Sequence, residues 1–324
     1  PKDVTLRHLT MLHADEMRPE ALLATALADD PGSDAAVGRL AAPADDALVI
    51  AIDTLVSGIH FRAEAKSEDV AYKAVAVNLS DLAAMGATPL AVAVSVTAEK
   101  LSGAWIEGFR RGLAQTAQGF GIEVAAAGLA RGPLVVTVEA VGRVPPGAAL
   151  RRNGARPGDR IYVTGTLGDA GLGLAVAKGE ASLPPDDAAF VLSRLHRPEP
   201  RIAAGVALRG VASSAIDVSD GLAGDLGHIL DQSGVGATLQ VERLPLSPAM
   251  KSHRPGDFAL ELASSFGDDY ELCFTLTDSA MAKRLELGCA VTEIGVVDEQ
   301  RGLRFRRDDG CPFMPRAAYS HFRT

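Results

Sequence analysis

Val75-Ala76-Val77-Asn78-Leu79-Ser80-Asp81-Leu82-Ala83-Ala84-Met85-Gly86-Ala87-Thr88-Pro89 is an apolar run with a single acid inside it. Its composition predicts a buried helix, and a lone carboxylate there costs on the order of several kcal/mol unless it is paired or binds a cation. Asp81 therefore has a reason beyond folding. Two further apolar runs end in acids. Ala47–Ile52 delivers Asp53, and Ala215-Ile216 delivers Asp217 with Asp220 three residues on. No basic partner lies beside them in sequence, which points to a hard, oxygen-liganded metal such as Mg²⁺.

Working outward, residues 47–53 read as a buried strand. Ser67-Glu68-Asp69 reads as a helix start in which a capping residue precedes acids that complement the dipole, and Gly86 reads as the stop. Leu90–Thr97 is a second strand, Trp105–Phe120 an amphipathic helix closed by Gly121, and Leu134–Val141 a strand by its β-branched content. Pro145-Pro146-Gly147 is the best linker, dividing the chain into 1–144 and 145–324. Beyond it, Gly158–Gly165 is a turn feeding a strand into a glycine-rich loop. Ala215–Asp217 is a strand leading into a helix with Leu222, Leu226, Ile229 and Leu230 on one face, and Glu271–Leu276 and Val291–Val297 are later strands. Arg18–Ala28 is a candidate helix in a poorly readable N-terminal stretch. Alternating strands and helices give an α/β (α+β) class.

Bulk properties narrow the function. The chain has 324 residues, 47% of them hydrophobic, and a formal charge of −9. That length suits two domains, and the acidic balance without a basic, aromatic-interleaved stripe argues against nucleic acid. Phosphate ligands stay compatible if metal ions carry the counter-charge. No apolar run reaches the length of a membrane span, no secretory signal opens the chain, and its start at Pro1 is read as loss of the initiator Met. Cys273, Cys289 and Cys311 follow no metal spacing and read as reduced thiols of a cytoplasmic protein.

Each motif has a bland reading. Gly165–Gly173 follows a strand and precedes a helix, but lacks the G-x-G-x-x-G spacing, so a tight structural turn is preferred to a dinucleotide fingerprint. The histidines form no zinc pattern. No serine or cysteine nucleophile is supported. For Asp53, Asp81, Asp217 and Asp220 the bland reading is capping or surface pairing, and Ser219 or Asp220 suits a cap. Capping does not explain Asp81 in mid-segment or acids at three apolar ends.

The blocks Asp53–Phe61, Ala71–Ala74 through Met85–Ala87, Asn153–Asp159, Tyr162–Asp169, Ser214–Leu222 and Gly267–Leu272 together resemble the thiamine-monophosphate kinase family, from about residue 32 to the C-terminus. Its superfamily includes aminoimidazole-ribonucleotide synthetase, selenophosphate synthetase and a hydrogenase-maturation dehydratase. The resemblance implies a two-domain aminoimidazole-ribonucleotide synthetase-like fold whose N-terminal domain dimerises through its sheet. It also implies Mg²⁺-dependent transfer of phosphate from ATP to thiamine monophosphate, giving thiamine diphosphate. By that similarity Asp34, Asp53, Asp81, Asp217 and Asp220 bind metal, and Arg152, Ser219, Ala127 and Gly128 meet ATP. His60, Asp268 and Tyr319 meet the substrate.

The chain departs from the family pattern mainly at the site. Gly128 stands where the family has a metal-binding Asp, and Ala51-Ile52 stand where it has Ser-Thr. Ser33 stands for an acid, with Asp29 and Asp30 nearby. Asp268 replaces Glu, and Phe266 replaces a glycine. Two alternatives to a working kinase follow: a weak or inactive homologue that binds a phosphorylated ligand or acts as a dimeric partner, or a related ATP-dependent enzyme with another small substrate.

Overall fold

A computed structural model describes residues 45–254, 256–278 and 286–316; Asp34, Tyr319, Asp29, Asp30, Ser33 and the 18–28 segment lie outside them. Strands β1 (Ala47–Val56), β2 (Thr88–Thr97), β3 (Glu123–Ala130) and β4 (Val135–Val144) form one sheet in the order β1-β4-β2-β3. β1 and β2 run antiparallel to β4, and β3 runs parallel to β2. Helices α1 (Ser67–Ala84) and α2 (Gly103–Phe120) are the helices of this half among the described residues. Residues of α1, α2 and all four strands share one apolar core.

The second sheet has seven strands. They are β5 (Arg160–Thr164), β6 (Ser214–Val218), β7 (Gly236–Gln240), β8 (Glu271–Leu276), β9 (Val291–Asp298), β10 (Gly302–Arg306) and β11 (Pro312–Phe313). Their order is β11-β10-β7-β9-β5-β8-β6, with mixed strand directions. Helices α3 (Asp169–Ala177), α4 (Pro185–His196), α5 (Ile202–Ala207), α6 (Leu222–Ser233), α7 (Pro248–His253) and α8 (Asp257–Ser265) accompany it. No described helix is long and apolar enough to cross a membrane.

α1 decides how the halves meet. It is apolar on nearly every side, and such a helix must be covered on every side. One flank packs on the first sheet and α2, while Ala83 and Ala84 enter a core with Ala204, Leu208, Ala215 and Phe274 of the second half. The approach is close: a side chain at Gly205 would meet the Ala83 carbonyl oxygen at 2.0 Å. Arg209 also bonds across the junction, donating to the Gly86 carbonyl and to Thr88 Oγ1.

The elements expected within the described residues appear, with three corrections. Residues 47–53 form a strand that is not buried on both faces, because Leu48, Ile50 and Ile52 lie exposed on its outer side. The other two corrections concern helix starts. Lys66, not Ser67, holds the N-cap of α1, and it makes no side-chain cap. Ser67 is buried against α2, where a side chain at Gly108 would strike its hydroxyl, so it is a packing residue. Neither Ser219 nor Asp220 caps α6, because Gly221 occupies that position. The reading lacks strands β3, β7, β10 and β11 and helices α4, α5, α7 and α8; β3, of sequence Glu-Val-Ala-Ala-Ala-Gly-Leu-Ala, is missed because alanine and glycine carry little strand signal.

The glycine-rich stretch packs tightly at its start, and Gly171 and Leu172 further along it line the cleft described below. A side chain at Gly165 would fall 2.0 Å from Glu271 Oε1. Glu271 is fully buried and accepts from Arg194, Arg201 and Thr164, so that pocket has no room for another side chain.

Candidate functional site

Strand alternation places the first acid. Along β1 the even residues Leu48, Ile50, Ile52 and Thr54 face outward, so Asp53 faces inward toward α1. Asp81 meets it there and shares a side-chain hydrogen bond with it. Asp217 arrives from β6, the edge strand of the second sheet, and accepts a 2.8 Å hydrogen bond from Ser80 Oγ on α1. Two sheets and the helix between them thus bring three carboxylates together.

Their electrostatics are unfavourable. Burial, then Asp217 and Asp53, push the Asp81 carboxyl well above the usual range. Burial raises Asp217, and Asp53 adds to it, against the Ser80 hydrogen bond and the Arg152 charge. Arg152 is exposed and does not line the cleft described below, but its charge opposes both shifts. Asp225 of α6 accepts from the amides of Ser219 and Asp220 at 3.0 and 3.1 Å, fixing the turn after β6. Its carboxyl is pushed up to about 8 by burial and then by Asp217 and Asp220.

These groups line a cleft of about 1200 Å³. Asp53, Asp81, Asp217, Ser219 and Asp220 stand on its wall together with His60, Phe266 and Asp268. His60 accepts the Val56 amide on Nδ1 at 2.9 Å, so in its neutral form the ring proton sits on Nε2. Asp268 lies in a taut loop: Asp268 and Tyr270 have φ of 66° and 52°, a conformation that costs a non-glycine residue about 1 kcal/mol or more. The loop is held because the Asp268 amide donates to Ser219 O, the Tyr270 amide to Val218 O, and the Tyr270 hydroxyl to Asp268 Oδ1. Burial, and then the Asp268 charge, raise the Tyr270 phenol far above its ordinary value.

Other expected residues fall elsewhere. Ala127 and Gly128 are on β3 and do not line this cleft. Pairing aligns Thr54, Thr137, Ser95 and Gly128 across the sheet, three strand spacings or about 14 Å from one edge to the other. A side chain at Gly128 would meet open space. Ala51 and Ile52 split by alternation, one facing inward and the other 64% exposed. Ser80, Asp225, Tyr270 and Lys73 were not singled out from sequence. Lys73 carried a signal, because a lone base in an apolar helix is as anomalous as Asp81.

A divalent cation fits this donor set in one particular way. Among the described residues no three acidic, histidine or cysteine side chains close into a metal cage. Mg²⁺ seldom needs one, since one or two carboxylates, substrate phosphates and water complete its octahedron. Carboxylates that repel each other around an open cleft suit that mode.

Comparison with known proteins is consistent along the chain. Residues 32–144 match the family described as AIR synthase related protein, N-terminal domain, and residues 156–308 match its C-terminal domain. Thiamine-monophosphate kinase of Escherichia coli K12 is 43% identical over 288 residues, 87% of this chain and 89% of that protein. The crystal structure of thiamine-monophosphate kinase from Stenotrophomonas maltophilia K279a aligns with a TM-score of 0.80 at 39% identity, covering 87% of this chain and 90% of that one. AaThiL complexed with AMPPCP and TMP aligns at 0.78 with 30% identity, covering 87% and 89%.

Replacing Asp81 by Asn tests the repulsion. A carboxyl raised on folding holds more protons in the folded than in the unfolded chain. Its contribution is therefore lost as pH rises from its unfolded value near 4, an approximate figure, through the folded one. Without divalent cations, Asp81→Asn melts a few degrees above the parent at pH 8, at about 2–4 °C per kcal/mol, and the gap closes toward pH 4. Scanning calorimetry showing equal melting at pH 8 contradicts the repulsion.

Proposed function

The chain belongs to the AIR synthase related family and, within it, to the thiamine-monophosphate kinases; we propose that its cleft transfers the terminal phosphoryl group of ATP to thiamine monophosphate, yielding thiamine diphosphate and ADP. The observation that carries this reading is the convergence of Asp53, Asp81 and Asp217 on the same cleft as His60 and Asp268.

The attacking group is a phosphate oxygen, already ionised near neutral pH, so the site needs no general base. What it must overcome is repulsion between two phosphate-bearing anions. When bound, Mg²⁺ ions would supply the positive charge that offsets that repulsion. Asp53, Asp81 and Asp217, with Asp220 on the same wall and Asp34 by the family resemblance, would hold them. Arg152 would present a planar fork suited to phosphate oxygens, and Ser219 a hydroxyl at the turn after β6. His60 and Asp268 form the acceptor end, where Asp268 would offer its carboxylate to a cationic heterocycle, and Tyr319 is assigned to the same substrate by the family resemblance alone.

We divide the chain at 144/145, because β4 ends at Val144 and every strand of the larger sheet begins after it. We also propose a homodimer through the outer face of the first sheet. Leu48, Ile50 and Ile52 are 53, 62 and 64% exposed there, an apolar stripe on an open sheet face. Ala127 and Gly128 belong to that same sheet, so any contribution they make to nucleotide binding depends on what covers it. Ile52→Lys should turn a dimeric sedimentation coefficient into a monomeric one; an unchanged value removes this face from the interface.

Two results test the reaction. Purified protein given Mg-ATP and thiamine monophosphate should form thiamine diphosphate and ADP in equal amounts. Tight binding without turnover supports the weak-homologue reading, which Gly128 favours. ADP formed only with another acceptor supports the third reading, which Phe266 on the cleft wall favours. Gly128→Asp, entering open space, should raise Mg²⁺-dependent turnover severalfold, whereas unchanged turnover takes that position out of the site.

A further inference from the structure

Lys73, Val77 and Asp81 are spaced by four along α1 and so share one face of the helix. Eight residues of helix separate Lys73 from Asp81 by about 12 Å. Val77 and Asp81 line the cleft. Lys73 stands behind its far end, only 3% exposed, and is not a lining residue.

Two of the three donors of its ammonium go to segments that do line the cleft. It donates at 3.0 Å to Asp268 Oδ2 and at 3.2 Å to the His60 carbonyl oxygen. Asp268 comes from the loop before β8, in the second half of the chain, and His60 from the turn after β1, in the first. One buried charge therefore joins the two halves where the acceptor end of the cleft is built. Its ion-pair partner Asp268 is one of two non-glycine residues held at positive φ, and a strained conformation persists only when its surroundings over-determine it. The other Asp268 oxygen takes the buried Tyr270 hydroxyl, so both carboxylate oxygens are directed by donors.

The alternative is that Lys73 merely stabilises the junction. A buried ion pair is weak evidence for stability, since apolar residues of similar volume often do as well. The junction already has α1 packed on α5 and Arg209 bonded to Gly86 and Thr88. The chain nevertheless keeps a desolvated ammonium at the one place where it touches His60 and Asp268.

We propose that Lys73 is a positioning residue for the acceptor: it sets the spacing between the His60 turn and the Asp268 loop, and so selects affinity for the phosphorylated heterocycle without touching it. This rests on the reading that the acceptor end of the cleft takes thiamine monophosphate.

The test is Lys73→Met, with Lys73→Arg as the conservative variant, in steady-state kinetics that vary each substrate separately. The KM for thiamine monophosphate should rise about tenfold or more, the scale of loss expected when a binding group shifts by an ångström. The KM for ATP and kcat should stay within about twofold, and Lys73→Arg should recover part of the loss. Amide hydrogen exchange in residues 57–60 and 266–270 should accelerate in Lys73→Met and not in residues 214–218. If the parent does not turn over thiamine monophosphate, the functional reading fails, and the exchange pattern still decides the role of Lys73. Should Lys73→Met prove insoluble, Lys73→Gln, a neutral donor of shorter reach, is read in the same way. Unchanged exchange in both segments, or KM values for the two substrates rising in step, overturns the proposal.

Discussion

Three carboxylates share a poorly solvated corner, and the geometry of the two halves follows from bringing them there. Asp53 and Asp81 are linked by a hydrogen bond, and Asp217 is held beside them through Ser80. Burial and mutual repulsion raise both Asp81 and Asp217, so the protein spends stability at this corner. Arg152 offsets only part of it. Such a site is unfavourable when empty of cations and favourable when a cation-bearing anion enters, which is the electrostatic requirement for bringing two phosphates together.

α1 is the element that makes this possible. Because it is apolar around its circumference, both halves of the chain must pack on it, and their cleft reaches it at Val77 and Asp81. The same helix face carries Lys73, buried about two turns behind Asp81. An acid end suited to nucleotide phosphates and a His60–Asp268 end suited to the acceptor are thereby set at a fixed separation by helix geometry alone. Gly205 and Gly267 protect that arrangement, since side chains there would strike Ala83 O and Ser219 O at 2.0 and 2.1 Å.

Much of this was legible before any coordinates. Asp81 was readable because a charge in an apolar helix is expensive, and Asp53 and Asp217 because apolar strands delivered them. The central helix and most strands follow from periodicity and turn chemistry. What escaped is what depends on tertiary contact. Strand β3 is built of alanine and glycine and is a strand only because β2 pairs with it. Ser67 has the composition of a cap but is buried by α2. Asp225 reads as an ordinary helical acid until its carboxylate is seen holding the amides of Ser219 and Asp220. Gly128 aligns with a metal-ligand position by sequence and stands at the far edge of the sheet from Asp53. Lys73 was readable on the same ground as Asp81.

The claim that the acid cluster is completed by a cation arriving with the nucleotide is tested most directly by calorimetric titration of a non-hydrolysable ATP analogue, with and without Mg²⁺. Binding should be strong with Mg²⁺ and weaker by at least about a hundredfold, some 2.7 kcal/mol, in EDTA. Equal affinity in the two conditions would contradict the account.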